Sequence, residues 1–164
     1  MSDIPFFCEQ LRKGHSDDPW HGPALTDLLA DLTAGEAAAH PVPGAHSVWA
    51  IVLHLISWQN EVRRRLGGKP PSLPEEGDWP APADLSETAW GRDRERLAAS
   101  LSELIEDLSG HPEEILDHPD GSLDRDPALG TGGTFRGMIN GLIQHNAYHG
   151  GQIALLRKAL RRPR

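Results

Sequence analysis

The sequence predicts an all-α protein folded as a four-helix bundle, and three observations carry that prediction. Apolar residues recur at helical spacing in four long stretches, whereas no stretch alternates polar and apolar residues as a half-buried strand does. Proline- and glycine-rich segments separate the stretches. The chain has 164 residues, the size of one domain that buries roughly two-thirds of its unfolded surface. Residues 1–164 are therefore expected to form one helical domain.

The first helix is expected over HGPALTDLLADLTAGEAAA, with Pro23 at its first helical position. Leu25, Leu28, Leu29 and Leu32 make its apolar stripe, and Pro41 and Pro43 forbid its continuation. A minor helical piece around FFCEQLRK is expected before it. The second helix opens at Ser47, runs through VWAIVLHLISWQNEVRRRL and stops at Gly67 and Gly68. Its first half is apolar nearly all round, which predicts the most buried helix. The third is LSETAWGRDRERLAASLSELIEDLSG, with Asp84 and Glu87 placed as a capping box and Gly110 at its end. The fourth starts near Thr134 and continues through GLIQHNAYHGGQIALLRKAL almost to the C-terminus.

Two connections are long: GGKPPSLPEEGDWPAPA and HPEEILDHPDGSLDRDPALGTGG. Structureless loops beyond about 12–15 residues are uncommon in compact domains and are often functional. These two are read either as edges of a pocket or as uninvolved loops. The first is long enough to let the second and third helices run parallel.

Composition excludes several function classes. A net charge of −8 and a pI of about 5.5 argue against a broad electrostatic grip on nucleic acid or anionic lipid. The one basic cluster, RKALRRPR, lies where cations complement a helix dipole. Cys8 is the single cysteine, so there is no disulfide framework and no thiol-rich metal site. Neither a secretory leader nor an apolar run of about 18 residues is present, so a cytoplasmic protein with no membrane partner is expected.

The chemistry concentrates in histidines. His145 and His149 stand at i and i+4, where both imidazoles can reach one metal ion. That spacing alone carries little weight, since nine histidines produce it by chance in roughly one such sequence of three. The surrounding face adds to it: Met138, Leu142, Tyr148 and Gln152 flank the pair along a partly apolar stripe. A third ligand is needed, and His54 is the best candidate, in the most apolar segment of the chain with Ile51 and Trp58 on its face. A lone histidine there is usually a hydrogen-bonded core residue; beside a second histidine pair on another long helix, the ligand reading is preferred. Three neutral imidazoles with open coordination positions describe a catalytic centre better than a structural one.

Other residues get plainer readings. Gly137, Gly141, Gly150 and Gly151 each cost about 1 kcal/mol relative to alanine in a helix. They are read as places where a neighbouring helix or a ligand approaches the backbone, or else as a kink at 150–151. Trp49, Trp58 and Trp90 are expected in the core, with Trp58, one turn from His54, also placed to wall a pocket. His40 and His46 are read as ordinary loop residues, with a place in the pocket lining as the lesser reading for His46, and His15, His21, His111 and His118 are expected in solvent. Glu61, two turns beyond His54 on roughly the same face, is the nearest carboxylate; Gln152 can orient a neighbour but cannot take a proton. The absence of an obvious general base slightly favours a pre-formed thiolate over activated water.

Taken together, WHGPALTDLLADLTAGEAAAHPVPGAHSVWAIVLHLISWQNEVRRRLGG and GTFRGMINGLIQHNAYHGGQIALLRKAL resemble the DinB/YfiT-like superfamily of metal-dependent four-helix-bundle proteins. The resemblance covers roughly residues 20–160. It implies an up-down-down-up bundle, a homodimer, and a divalent ion, zinc or nickel, on His54, His145 and His149. It further implies an S-transferase joining a low-molecular-weight thiol to a small-molecule electrophile. A metal-dependent hydrolase and a non-enzymatic dimeric interaction module are the alternatives.

Overall fold

Ser47, Ser86 and Thr134 each accept a hydrogen bond from the backbone N–H three residues on, and each opens a long helix. A computed structural model describes residues 3–121, 126 and 128–161, and among these it contains helices and no strand. The long helices are α1 (Asp3–Ser16), α4 (Val48–Leu66), α5 (Glu87–Gly110) and α6 (Phe135–Leu160). Two single-turn helices, α2 (Leu25–Leu29) and α3 (Ala34–Ala38), lie between α1 and α4, and a 3₁₀ turn (Glu113–Asp117) follows α5.

Two boundaries differ from expectation. The first long helix is Asp3–Ser16, where Ile4, Phe7, Cys8 and Leu11 bury one face. The segment expected to be that helix is broken, because Thr33 adopts extended backbone to cap α3 in a capping box with Glu36. Its leucine stripe is still buried. At the start of α5 the cap is Ser86, not Asp84; Asp84 accepts from the Ser86 N–H at 2.6 Å, and Glu87 turns away to accept from the Ala34 N–H at 2.9 Å.

The four long helices pack as a bundle, α4 and α1 each lying against both α5 and α6. Two apolar clusters fill it. One gathers Trp49, Trp90 and Ile153 with the leucines of α2; the other gathers Phe7, Leu104 and Ile139. On α6 the residues of the second cluster end at Leu142 and those of the first resume at Ile153. His145 and His149 occupy the gap.

Helix α6 runs unbroken through Gly150 and Gly151. A Cβ on Gly150 would stand 3.7 Å from Leu25 Cδ2, which marks a close helix-to-helix approach, whereas Gly151 faces open space. The basic end of α6 does more than complement its dipole. Arg157 donates to the Asp27 carbonyl at 2.7 Å and pairs with Asp31, as does Arg161, tying α6 to the α2 region. Arg162, Pro163 and Arg164 of that cluster, and residues 122–125 and 127 of the second long connection, lie outside the described residues. No described helix is long and apolar enough to cross a membrane.

Candidate metal centre

Helix α4 contributes His54 and α6 contributes His145 and His149, and the ligand-capable atoms of all three lie within 4.8 Å of one another. His145 Nε2 stands 2.9 Å from His54 Nε2 and 3.1 Å from His149 Nε2. Two nitrogens at ordinary metal–imidazole distances and about 90° apart at the ion are separated by about 3 Å. Those two separations suit neighbouring positions of a coordination shell, and the three ligand atoms together lie within 4.8 Å of one another.

The outer nitrogens fix what the inner ones can do. His54 Nδ1 is 2.6 Å from the Asp78 carbonyl oxygen and 3.3 Å from its carboxylate. Both are acceptors, so Nδ1 carries the proton and Nε2 is a lone pair. His149 Nδ1 donates to Gln152 Oε1 at 2.7 Å, while the Gln152 amide donates to the Tyr148 hydroxyl at 3.0 Å. His149 Nε2 is thus a lone pair as well. Two lone pairs face His145 Nε2, and a single N–H there can satisfy only one. A cation accepts all three lone pairs; Asp78 and Gln152 orient the His54 and His149 rings as outer partners of ligating histidines do, while His145 Nδ1 is buried without a partner.

Protonation cannot substitute for that cation near neutrality. His145 is pushed down to about 4, first by burial and then by the neighbouring charges of His149 and His54 in their protonated forms. Burial likewise lowers His54 and His149. Neutral imidazoles are the form that binds metal.

The cluster opens onto a cavity of about 540 Å³ between α4 and α6. Trp58 walls it as the sequence suggests, donating its indole N–H to Asp78 at 2.8 Å. Its α6 side is lined by Met138, Leu142 and His145, with Gly137 and Gly141 between them. Gln152 supports His149 and lines a separate hollow beside His46, while Tyr148 is 65 % exposed with its ring edge-on to His149 at 5.1 Å. Glu61 is not at the cavity. It is buried under Arg64, Arg65 and the Ser72 N–H, and although burial alone would raise its carboxyl, those hydrogen bonds hold it below the usual range. A carboxylate so engaged is no general base.

Two contributors, Asp78 and Trp79, escape sequence reasoning, and a third, His46, is read there chiefly as a loop residue. Asp78 and Trp79 come from the first long connection, and His46 precedes α4. Trp79 is stacked between two imidazoles, 3.9 Å from His54 and 3.6 Å from His46. The one available signal was an aromatic residue beside an acid in a Pro/Gly-rich loop, a place where an indole has little reason to be unless it packs onto something. His15, expected in solvent, is instead buried.

The family model described as the DinB superfamily matches residues 20–153. No curated protein matches the sequence. Among solved structures, a conserved protein of Enterococcus faecalis is similar in fold, with a TM-score of 0.69 at 20 % identity and 98 % of each chain covered.

Proposed function

The chain belongs to the DinB superfamily, and from that premise and the geometry above we propose that it is a divalent-metal-dependent S-transferase that joins a low-molecular-weight thiol to a small electrophile. One observation carries the reading: two histidine lone pairs, each fixed by an outer acceptor, converge on a third imidazole that can satisfy only one of them. His54, His145 and His149 would hold the ion, zinc or nickel by ligand type. The chemistry it supplies on three neutral ligands is strong acidification of a bound thiol or water.

The chain's own residues do the rest. Asp78 and Gln152 hold the tautomers, Trp79 clamps the His54 ring, and the cavity bounded by Trp58 shelters the electrophile from bulk water. The acids nearest the cluster are already committed, Asp78 to His54 and Trp58 and Glu61 to its arginines. Thiol transfer is preferred over hydrolysis because a thiolate formed on the ion needs no further base to take a proton, whereas attack by water does. A homodimer belongs to the same reading and is checked by sedimentation.

The test is conjugation by metal-loaded protein of a panel of small thiols with a bromobimane or chlorodinitrobenzene electrophile, followed by mass spectrometry of the adduct. Adduct formation that needs both the ion and a thiol, and is lost in His149→Ala, is expected. Turnover of an ester or amide without thiol would establish the hydrolase instead. No turnover of any kind with the ion bound would leave an interaction module.

A further inference from the structure

The cavity is polar where it meets the histidines, but the wall leading away from them offers a ligand no free charge. Among the described residues three charged side chains border it, Arg65, Asp78 and Asp120. Arg65 is 2 % exposed; Nε donates to Glu61 and Nη1 to the Leu129 carbonyl, each at 2.8 Å, and Nη2 is covered by protein. Asp120 is 1 % exposed, and its Oδ1 is covered in the same way. Asp78 stands at the histidine end, engaged with His54 and the Trp58 indole N–H. The Trp58 ring already faces a cation, because the Arg65 guanidinium carbon lies 5.9 Å from its centroid. Val62, Leu129, Met138 and Leu142, together with glycines, make most of the remaining wall.

Gly141 stands one turn before His145 on its face of α6, and Gly137 one turn before that. A glycine inside a helix costs about 1 kcal/mol relative to alanine. Gly150 has a packing reason, the nearby Leu25 side chain, whereas a Cβ on Gly141 meets nothing within 4 Å and one on Gly137 meets only Thr134 Oγ1 at 3.9 Å. The open space beside these two glycines belongs to the cavity. A charged molecule entering it loses water and finds no opposite charge on that wall, a penalty that an uncharged molecule escapes. We infer that the cavity selects an uncharged, largely apolar electrophile lying along the Gly137–Gly141 line of α6 up to the three histidines, and that Gly141 sets how large that electrophile can be. Calling the occupant an electrophile rests on the thiol-transferase reading; the selection for an uncharged, apolar molecule does not.

Ligand-observed NMR titration of zinc-loaded protein tests it with three unreactive probes of similar size: methyl 2-naphthyl sulfone, naphthalene-2-sulfonate and 2-naphthyltrimethylammonium. The uncharged sulfone should bind at least about tenfold more tightly than either ion. Gly141→Leu fills the open space and should cut sulfone affinity at least about tenfold, with metal content unchanged and Tm no lower, since leucine is the better helix former. Gly151→Leu, equally free of neighbours but away from the cavity, should leave sulfone binding as it is. An ion binding as tightly as the sulfone, or no binding by any probe, overturns the inference. So does a sulfone affinity untouched by Gly141→Leu, which would put the probe elsewhere on the protein. Sulfone selectivity that Gly141→Leu abolishes, in a protein that conjugates nothing, would sustain the cavity's preference while sinking the transferase. Conjugation equally fast for charged and uncharged electrophiles, and unaffected by Gly141→Leu, would do the reverse.

Discussion

Two buried aspartates divide the molecule. Asp93, in the apolar cluster around Trp49, has both oxygens occupied, by the Trp49 indole N–H at 2.9 Å and by Arg96 at 3.0 Å. Asp120, in the wall of the cavity, has one long hydrogen bond and one bare oxygen. The tryptophans divide the same way. Trp90 is sealed and donates to the Leu32 carbonyl at 2.8 Å, whereas Trp58 and Trp79 border the histidine cluster. Where buried polar groups are paired, the region is architecture. Where more lone pairs converge than the protein can pair, as at His54, His145 and His149 beside the cavity, the fold has left a position for something it does not itself contain.

The sharpest way to break that comparison is to damage the sealed side. Trp90→Ala should cost about 3–5 kcal/mol of stability, read by denaturant unfolding, and leave metal stoichiometry unchanged in the folded fraction. Loss of the ion along with the indole would mean the two regions are not separable. Next come the aspartates themselves. Asp93→Ala should cost about 1–3 kcal/mol because it strands the Trp49 N–H, while Asp120→Ala should cost less than about 1 kcal/mol. Equal costs would erase the distinction.

On the site's side, Gln152→Ala should weaken metal binding about 10- to 100-fold by freeing the His149 ring, measured by competition with a chelating dye. The pH dependence of the metal-free protein has a fixed sign. Burial holds the three histidines below their ordinary value, His145 at about 4, so the unfolded chain takes up protons first as pH falls. Stability should therefore decline from about pH 6.5 toward pH 4, with the His145 contribution lost across that window. The added stability conferred by a divalent ion should vanish over the same range, since protons and metal compete for the same nitrogens. The smallest effect belongs to Gly151→Ala, where a Cβ meets nothing within 4 Å. It should raise stability by about 0.5–1 kcal/mol without touching the site.

How much of this was legible in the sequence follows from the range of each interaction. Helical periodicity, the Ser47 and Thr134 caps and the family resemblance gave the bundle and the three histidines, because those signals are local or held in a repeated spacing. The first helix was misplaced because two leucine-striped turns look like one helix until Thr33 is seen to cap the second. Asp78, Trp79 and Asp120 carried no periodic signal, lying in irregular segments whose path only tertiary packing sets. Glu61 had the right helical register for the pocket but the wrong company, since Arg64, Arg65 and Ser72 claim both its oxygens.

The most direct test of the central claim is metal content by mass spectrometry on tag-free protein, wild type beside His149→Ala, after both are offered zinc and nickel. Roughly one divalent ion per chain in the wild type and none in the folded variant is the predicted result for one three-histidine site. A wild type that takes up no ion would contradict the account, leaving His54, His145 and His149 as core residues that hydrogen-bond one another.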